Sequence, residues 1–199
     1  MKRVAGLVFI FCFILSGCKK DKGALEDVEK AGSDKIDYTK ESIKVMEDLR
    51  PKLYGIWSME KIKVKPVLSA AGELGFKRDT TLLNLASLDI SRVDYSSQSA
   101  NLTSNDVTGV LKFRTKSYPV GFRMLASPTW MTNGVGPQTF ALFEFRFPVG
   151  SHPTETEEAY LWNLTLIGEN YSINMSKDGK TMVWKGLNRA IESIEFVRK

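Results

Sequence analysis

From Gly55 to the C-terminus, β-branched and aromatic residues alternate with polar ones in short runs broken by Gly, Pro, Asn and Asp, which is a strand period and not a helical one. The clearest runs are 55–64, 107–115, 119–125, 139–147, 160–167, 170–176, 180–186 and 192–198, with weaker ones at 80–85 and 88–95. This spacing predicts roughly eight to ten strands joined by connections too short for the helical crossovers that parallel pairing needs, so the strands pair antiparallel. No segment of helical period and useful length is expected after residue 55. The fold class is therefore mainly β, a closed barrel or a β-sandwich. In Thr139–Phe147 the residues Ala141, Phe143, Phe145 and Phe147 share one face, and Phe140, Leu142, Glu144 and Arg146 the other. One face is strongly apolar and the other mixed, as where a strand separates a core or cavity from solvent. Lys177-Asp178-Gly179-Lys180 predicts a tight two-residue turn with positive φ angles, and Gly168-Glu169-Asn170 marks another turn.

A short amphipathic helix is expected before the strands, over 39–50. Thr39 would cap it, Ile43, Met46, Leu49 and Leu53 would form its apolar stripe, and Pro51 would end it. Residues 19–36 hold ten charges in eighteen positions. They cannot bury enough surface to offset their ordering entropy, so 18–38 reads as a flexible charged tether reaching about 23 Å as a coil.

The first residues have a different character. Lys2 and Arg3 precede a charge-free run from Val4 to Leu15, and Leu15-Ser16-Gly17-Cys18 closes it. The run is short for a hydrocarbon core about 30 Å thick and suits a secretory signal over 1–17. The segment resembles the lipobox of bacterial lipoproteins, whose pattern is Leu, two small residues and Cys. That resemblance implies that Cys18 begins the mature chain and carries a diacylglyceryl thioether and an N-acyl chain. At about 0.8 kcal/mol per buried methylene, two or three chains hold a protein on a membrane where one would not. Lys19, and not Asp, follows the Cys, which by the same resemblance implies the outer membrane of a Gram-negative cell, on its periplasmic or its surface face.

The leader also carries Cys12 and two of the 28 basic residues, so the mature chain keeps 26 against 23 acidic ones and no Cys beyond the lipid site. A charge of about +3 spread without a dense basic block argues against a nucleic-acid partner. With two cysteines and one histidine in all, disulfide scaffolds, Cys/His zinc sites and iron–sulfur clusters are excluded.

Leu53-Tyr54-Gly55-Ile56-Trp57 places G-x-W just after the helix and at the start of the first strand. This is similar to the first motif of lipocalins and of lipocalin-like domains in bacterial lipoproteins. The spacing has a physical sense: Gly lets the chain turn closely into a barrel, and Trp plugs the closed end. The resemblance implies a lipocalin-like barrel over 39–199 and a basic residue stacked on Trp57. Arg198 and Arg189 are the candidates, Arg198 being preferred because it sits on the final strand.

Catalytic chemistry finds little support. His152 stands in a loop bounded by Pro148 and Pro153, Glu155, Glu157 and Glu158 lack the glycine-bearing spacing of a calcium loop, and no P-loop, G-x-G-x-x-G, G-x-S-x-G or H-E-x-x-H occurs. No cofactor or metal is expected. Glu144 and Arg146 either pair inside a barrel or face solvent. Trp130, in the Gly- and Pro-rich stretch 126–138, is a candidate loop contact for a sugar ring or a barrel mouth, and Phe143 and Phe145 are candidate ligand contacts. The expectation is a non-enzymatic, lipid-anchored envelope protein holding a small apolar ligand. Its rival is a side-chain-filled barrel or sandwich that binds another envelope protein.

Overall fold

The structure, a computed structural model, describes residues 36–65, 74–92, 106–150 and 153–199. The leader, Cys18, nearly all of the tether, His152 and the last three residues of the run 88–95 lie outside them.

The helix α1 spans Tyr38–Leu53. It departs from expectation at both ends. Asp37, not Thr39, is the cap, its carboxylate accepting from the Lys40 amide at 3.1 Å. The helix also runs through Pro51 to Leu53, because a proline in the last turn forgoes a single bond while Leu49 and Leu53 gain burial on either side of it. Met46, Leu49 and Leu53 are buried, whereas Ile43 is exposed and forms no part of the stripe.

The strands are β1 (Gly55–Val64), β2 (Thr80–Leu83), β3 (Ser87–Ser91), β4 (Asp106–Phe113), β5 (Lys116–Ala126), β6 (Thr139–Phe145), β7 (Glu169–Met175), β8 (Thr181–Gly186) and β9 (Ile191–Arg198). Each neighbour pairs antiparallel in the order β2-β1-β3-β4-β5-β6-β7-β8-β9, and β1 also pairs with β9. That last pairing shuts eight strands into a barrel, so the architecture is the lipocalin-like barrel and not the sandwich. The additional strand, β2, lies in line with β3 along one edge of β1: Lys61 faces Leu83, and Ser58 faces Ser87. Three residues of β1 thus match four on the other side, and the extra one is taken up near Asn84, at φ 50°.

A second irregularity sets which side chains point inward. Between Met59 and Lys61 the β1–β9 register shifts by one residue. Trp57 and Met59 are buried before the shift, Ile62 and Val64 after it. Without the bulge, Lys61 and Lys63 would follow Met59 into the interior.

Two further helices correct the sequence reading. α2 (Pro128–Asn133) occupies the stretch around Trp130, capped by the Ser127 hydroxyl and closed by Gly134 in the left-handed region. α3 (Thr156–Asn163) occupies the first half of the run 160–167 expected to be a strand. Glu155 and Glu158 form a reciprocal capping box that starts a helix there, and Leu161, Leu164, Leu166 and Ile167 all become fully buried. Helical and turn geometry buries all four, whereas a strand would turn successive residues to opposite faces. The turn after Met175 is also longer than expected. Ser176 and Thr181 bracket four residues, of which only Gly179 takes positive φ.

Candidate functional site

The barrel has two ends. β1 begins at the end that also carries α2, the β7–β8 turn and the last residue of β9; α3 and the β4–β5 turn lie at the other, as the strand directions require.

At the first end Trp57 is completely buried and its indole Nε1 donates to the Leu53 carbonyl at 2.8 Å, tying the strand to the helix before it. Arg198 faces Trp57 across the closing β1–β9 pair, its guanidinium 4.4 Å from the ring centre. Its other contacts fix the pose: Nη1 donates to the Tyr54 carbonyl at 2.7 Å, Nε to the Gly179 carbonyl at 2.9 Å, and Nη2 to the Lys52 carbonyl. Gly55, at φ +126°, makes room for it, since a Cβ there would meet Nη1 at 2.7 Å. Gly55, Trp57 and Arg198 therefore form one unit that joins helix, first strand, last strand and the β7–β8 turn. Arg189 stands at the opposite end, beside Gly168 and Trp162.

The interior is aromatic. Phe143 stacks on Phe122 at 4.8 Å, and Trp184 meets both edge-on, at 5.3 Å from Phe122 and 5.6 Å from Phe143. Trp184 also touches Tyr171 at 5.5 Å and Phe196 at 4.8 Å. These rings come from five consecutive strands, β5 to β9, so the indole of β8 crosses the interior to reach β5. All five are at most 2% exposed. Phe145 sits nearer the α3 end, tilted against Tyr118 at 5.6 Å and stacked on Phe147 at 5.1 Å. Glu144 points to the outer face, its carboxylate 2.9 Å from Arg123 and 3.7 Å from Arg146.

The α3 end is covered by contacts that sequence reasoning missed. Tyr160 stacks on Phe113 at 5.4 Å, and Arg114 lies over both rings while its Nη1 approaches Glu157 at 3.7 Å. Glu155 accepts from Lys116 at 2.8 Å and from the Tyr118 hydroxyl at 3.0 Å. Burial first, then the Glu155 carboxylate, pushes the Tyr118 phenol up to about 12, and the same carboxylate holds the Lys116 ammonium above its ordinary value. Tyr171 donates to the Leu166 carbonyl at 2.9 Å, and burial keeps its phenol well above the usual range. Glu169 is buried beside it. One carboxylate oxygen accepts from the Asn170 amide and from Asn188, while the other has no hydrogen-bond partner among the described residues. The alternation of Glu169, Tyr171 and Ile173 was the signal that could have placed this carboxylate inside.

Trp130, on α2, stands at the same end as Trp57 and Arg198. It lines two adjoining hollows of about 240 and 260 Å³ between α1, α2 and the β7–β8 turn. Among the described residues, no group of three or more His, Cys, Asp or Glu side chains is placed to hold a metal ion, and no helix is long and apolar enough to cross a membrane. Compared with protein-family models, with curated proteins and with solved structures, the chain finds no match. What defines its class is the fold: a closed antiparallel barrel with a helix leading into its first strand.

Proposed function

We propose that this protein is a non-enzymatic lipoprotein of the cell envelope, anchored through acylated Cys18 to the outer membrane, whose barrel is filled by its own side chains and which works through contacts on its surface. The observation that carries the reading is Trp184. Its indole spans the interior and touches four other rings, and Phe143, a candidate contact for an apolar ligand, is itself stacked on Phe122, met edge-on by Trp184 and completely buried. An eight-stranded barrel has just enough room either for side chains or for one small ligand, and these aromatic contacts favour the first. The anchor rests on the order of basic residues, apolar run and Leu-Ser-Gly-Cys at the N-terminus.

A second reading, a carrier of one small apolar molecule, is supported by barrel closure, since an eight-stranded barrel can hold one. Protein purified from membranes separates the two. Mass spectrometry should find Cys18 acylated, and solvent extraction should release no stoichiometric non-covalent lipid. One apolar molecule per barrel would favour the carrier, and an unmodified Cys18 would remove the anchor.

A further inference from the structure

α2 is built with care, yet it sends no side chain fully into the core. Ser127 caps its start, Pro128 opens its first turn, the Thr132 hydroxyl donates back to the Pro128 and Thr129 carbonyls, and Gly134 closes it at φ 66° by donating to the Trp130 carbonyl. Helix ends finished in this way hold a backbone in one shape. Yet none of its six residues is buried. Met131 packs partly against the core, and Trp130 is half-buried. The largest apolar side chain of a fixed helix thus stays partly exposed and lines two adjoining hollows.

The walls of those hollows are polar as much as apolar. Val45 and Leu49 of α1 lie beside Asp48 and Lys52, Glu41 and Lys44 flank the outer hollow, and Ser176 and Lys177 close the inner one. Asp48 pairs with Lys52 at 2.7 Å and Glu41 with Lys44 at 3.6 Å, so these charges cancel and leave Lys177 as the excess. A fatty chain would desolvate those ion pairs without return. A flat ring with one apolar face and a rim of hydroxyls suits such walls, its C–H face on the indole and its hydroxyls on the Asp48 carboxylate and the Lys177 ammonium. The two hollows share Val45, Asp48 and Trp130.

We infer that the groove around Trp130 is a carbohydrate site that takes a pyranose ring of an envelope polysaccharide on the indole. This rests on the surface-contact reading above and names the chemistry of the contact. The full-length protein in detergent is titrated calorimetrically with an oligomer of N-acetylglucosamine, standing for the cell-wall glycan, and separately with the delipidated core oligosaccharide of lipopolysaccharide. Saturable binding of either is expected, and the one that binds identifies the source. Trp130→Ala should weaken it by at least about tenfold and Trp130→Phe by less, with the melting temperature unchanged, because α2 contributes no buried residue. No heat with either glycan at millimolar concentration, or binding indifferent to Trp130→Ala, overturns the site. That failure, in protein free of extracted lipid, leaves the filled barrel and its anchor standing; stoichiometric lipid in the extract would instead overturn the filled barrel and leave the groove to its own test.

Discussion

Arg198 lies over the indole of Trp57 at 4.4 Å while its three guanidinium nitrogens donate to the carbonyls of Tyr54, Lys52 and Gly179. One side chain therefore joins the last strand to the first, to the helix before it and to the β7–β8 turn. A guanidinium can satisfy three directions and a ring face together, and an ammonium cannot. Arg198→Ala should cost about 2–4 kcal/mol, from the cation–π contact and the charge-assisted bonds. Arg198→Lys should recover less than half of that, as read by urea midpoints.

Gly55 is bound to the same device. At φ +126°, with a Cβ position 2.7 Å from Arg198 Nη1, Gly55→Ala meets both backbone strain and a clash. A loss of about 1–3 kcal/mol is expected for the single variant. In the Arg198→Ala background the clash is gone, so the two losses should sum to more than the double variant shows. A double-mutant cycle measures the difference, and strict additivity would mean that Gly55 serves the backbone alone.

The interior and the groove should respond in opposite ways to the loss of a tryptophan. Trp184→Ala removes the ring that four others touch and should cost about 3–5 kcal/mol. Trp130→Ala should change stability by no more than about 0.5 kcal/mol. Chemical denaturation of both variants makes the comparison.

Alkaline pH should unfold the protein through its buried phenols. Tyr118 holds its proton to about pH 12 in the fold, against 10.0 for the free side chain, and Tyr171 is raised well beyond its usual value. Below about pH 10 folded and unfolded chains are both protonated and the contribution is complete. As pH rises towards 12 the unfolded chain releases protons that the fold retains, and stability falls. Phenolate absorbance should show these two of the six tyrosines ionising only as circular dichroism is lost.

Much of the barrel was readable from alternation, because a strand with one buried face writes its period into the sequence. Ala141 and Phe143 went inward, Glu144 outward, and the G-x-W spacing put Trp57 at the mouth of β1. The run 160–167 misled for a definite reason. Tyr160, Leu161, Trp162, Leu164, Leu166 and Ile167 are so densely apolar that neither period stands out, and the deciding signal lay upstream in the Glu155–Glu158 box. α2 was hidden likewise behind its Pro and Gly, although Ser-Pro before and Gly after are the marks of a short capped helix. The groove was beyond reach. Its walls come from α1, α2 and the β7–β8 turn, and only the closed fold brings them together.

The most direct test of a barrel filled by its own rings is a titration of the full-length protein with a fluorescent fatty acid, followed by energy transfer from tryptophan. With Trp184 packed against Phe122, Phe143, Tyr171 and Phe196, no saturable transfer is predicted. Saturation at one molecule per chain, with quenching that disappears in Trp184→Phe, would contradict the account.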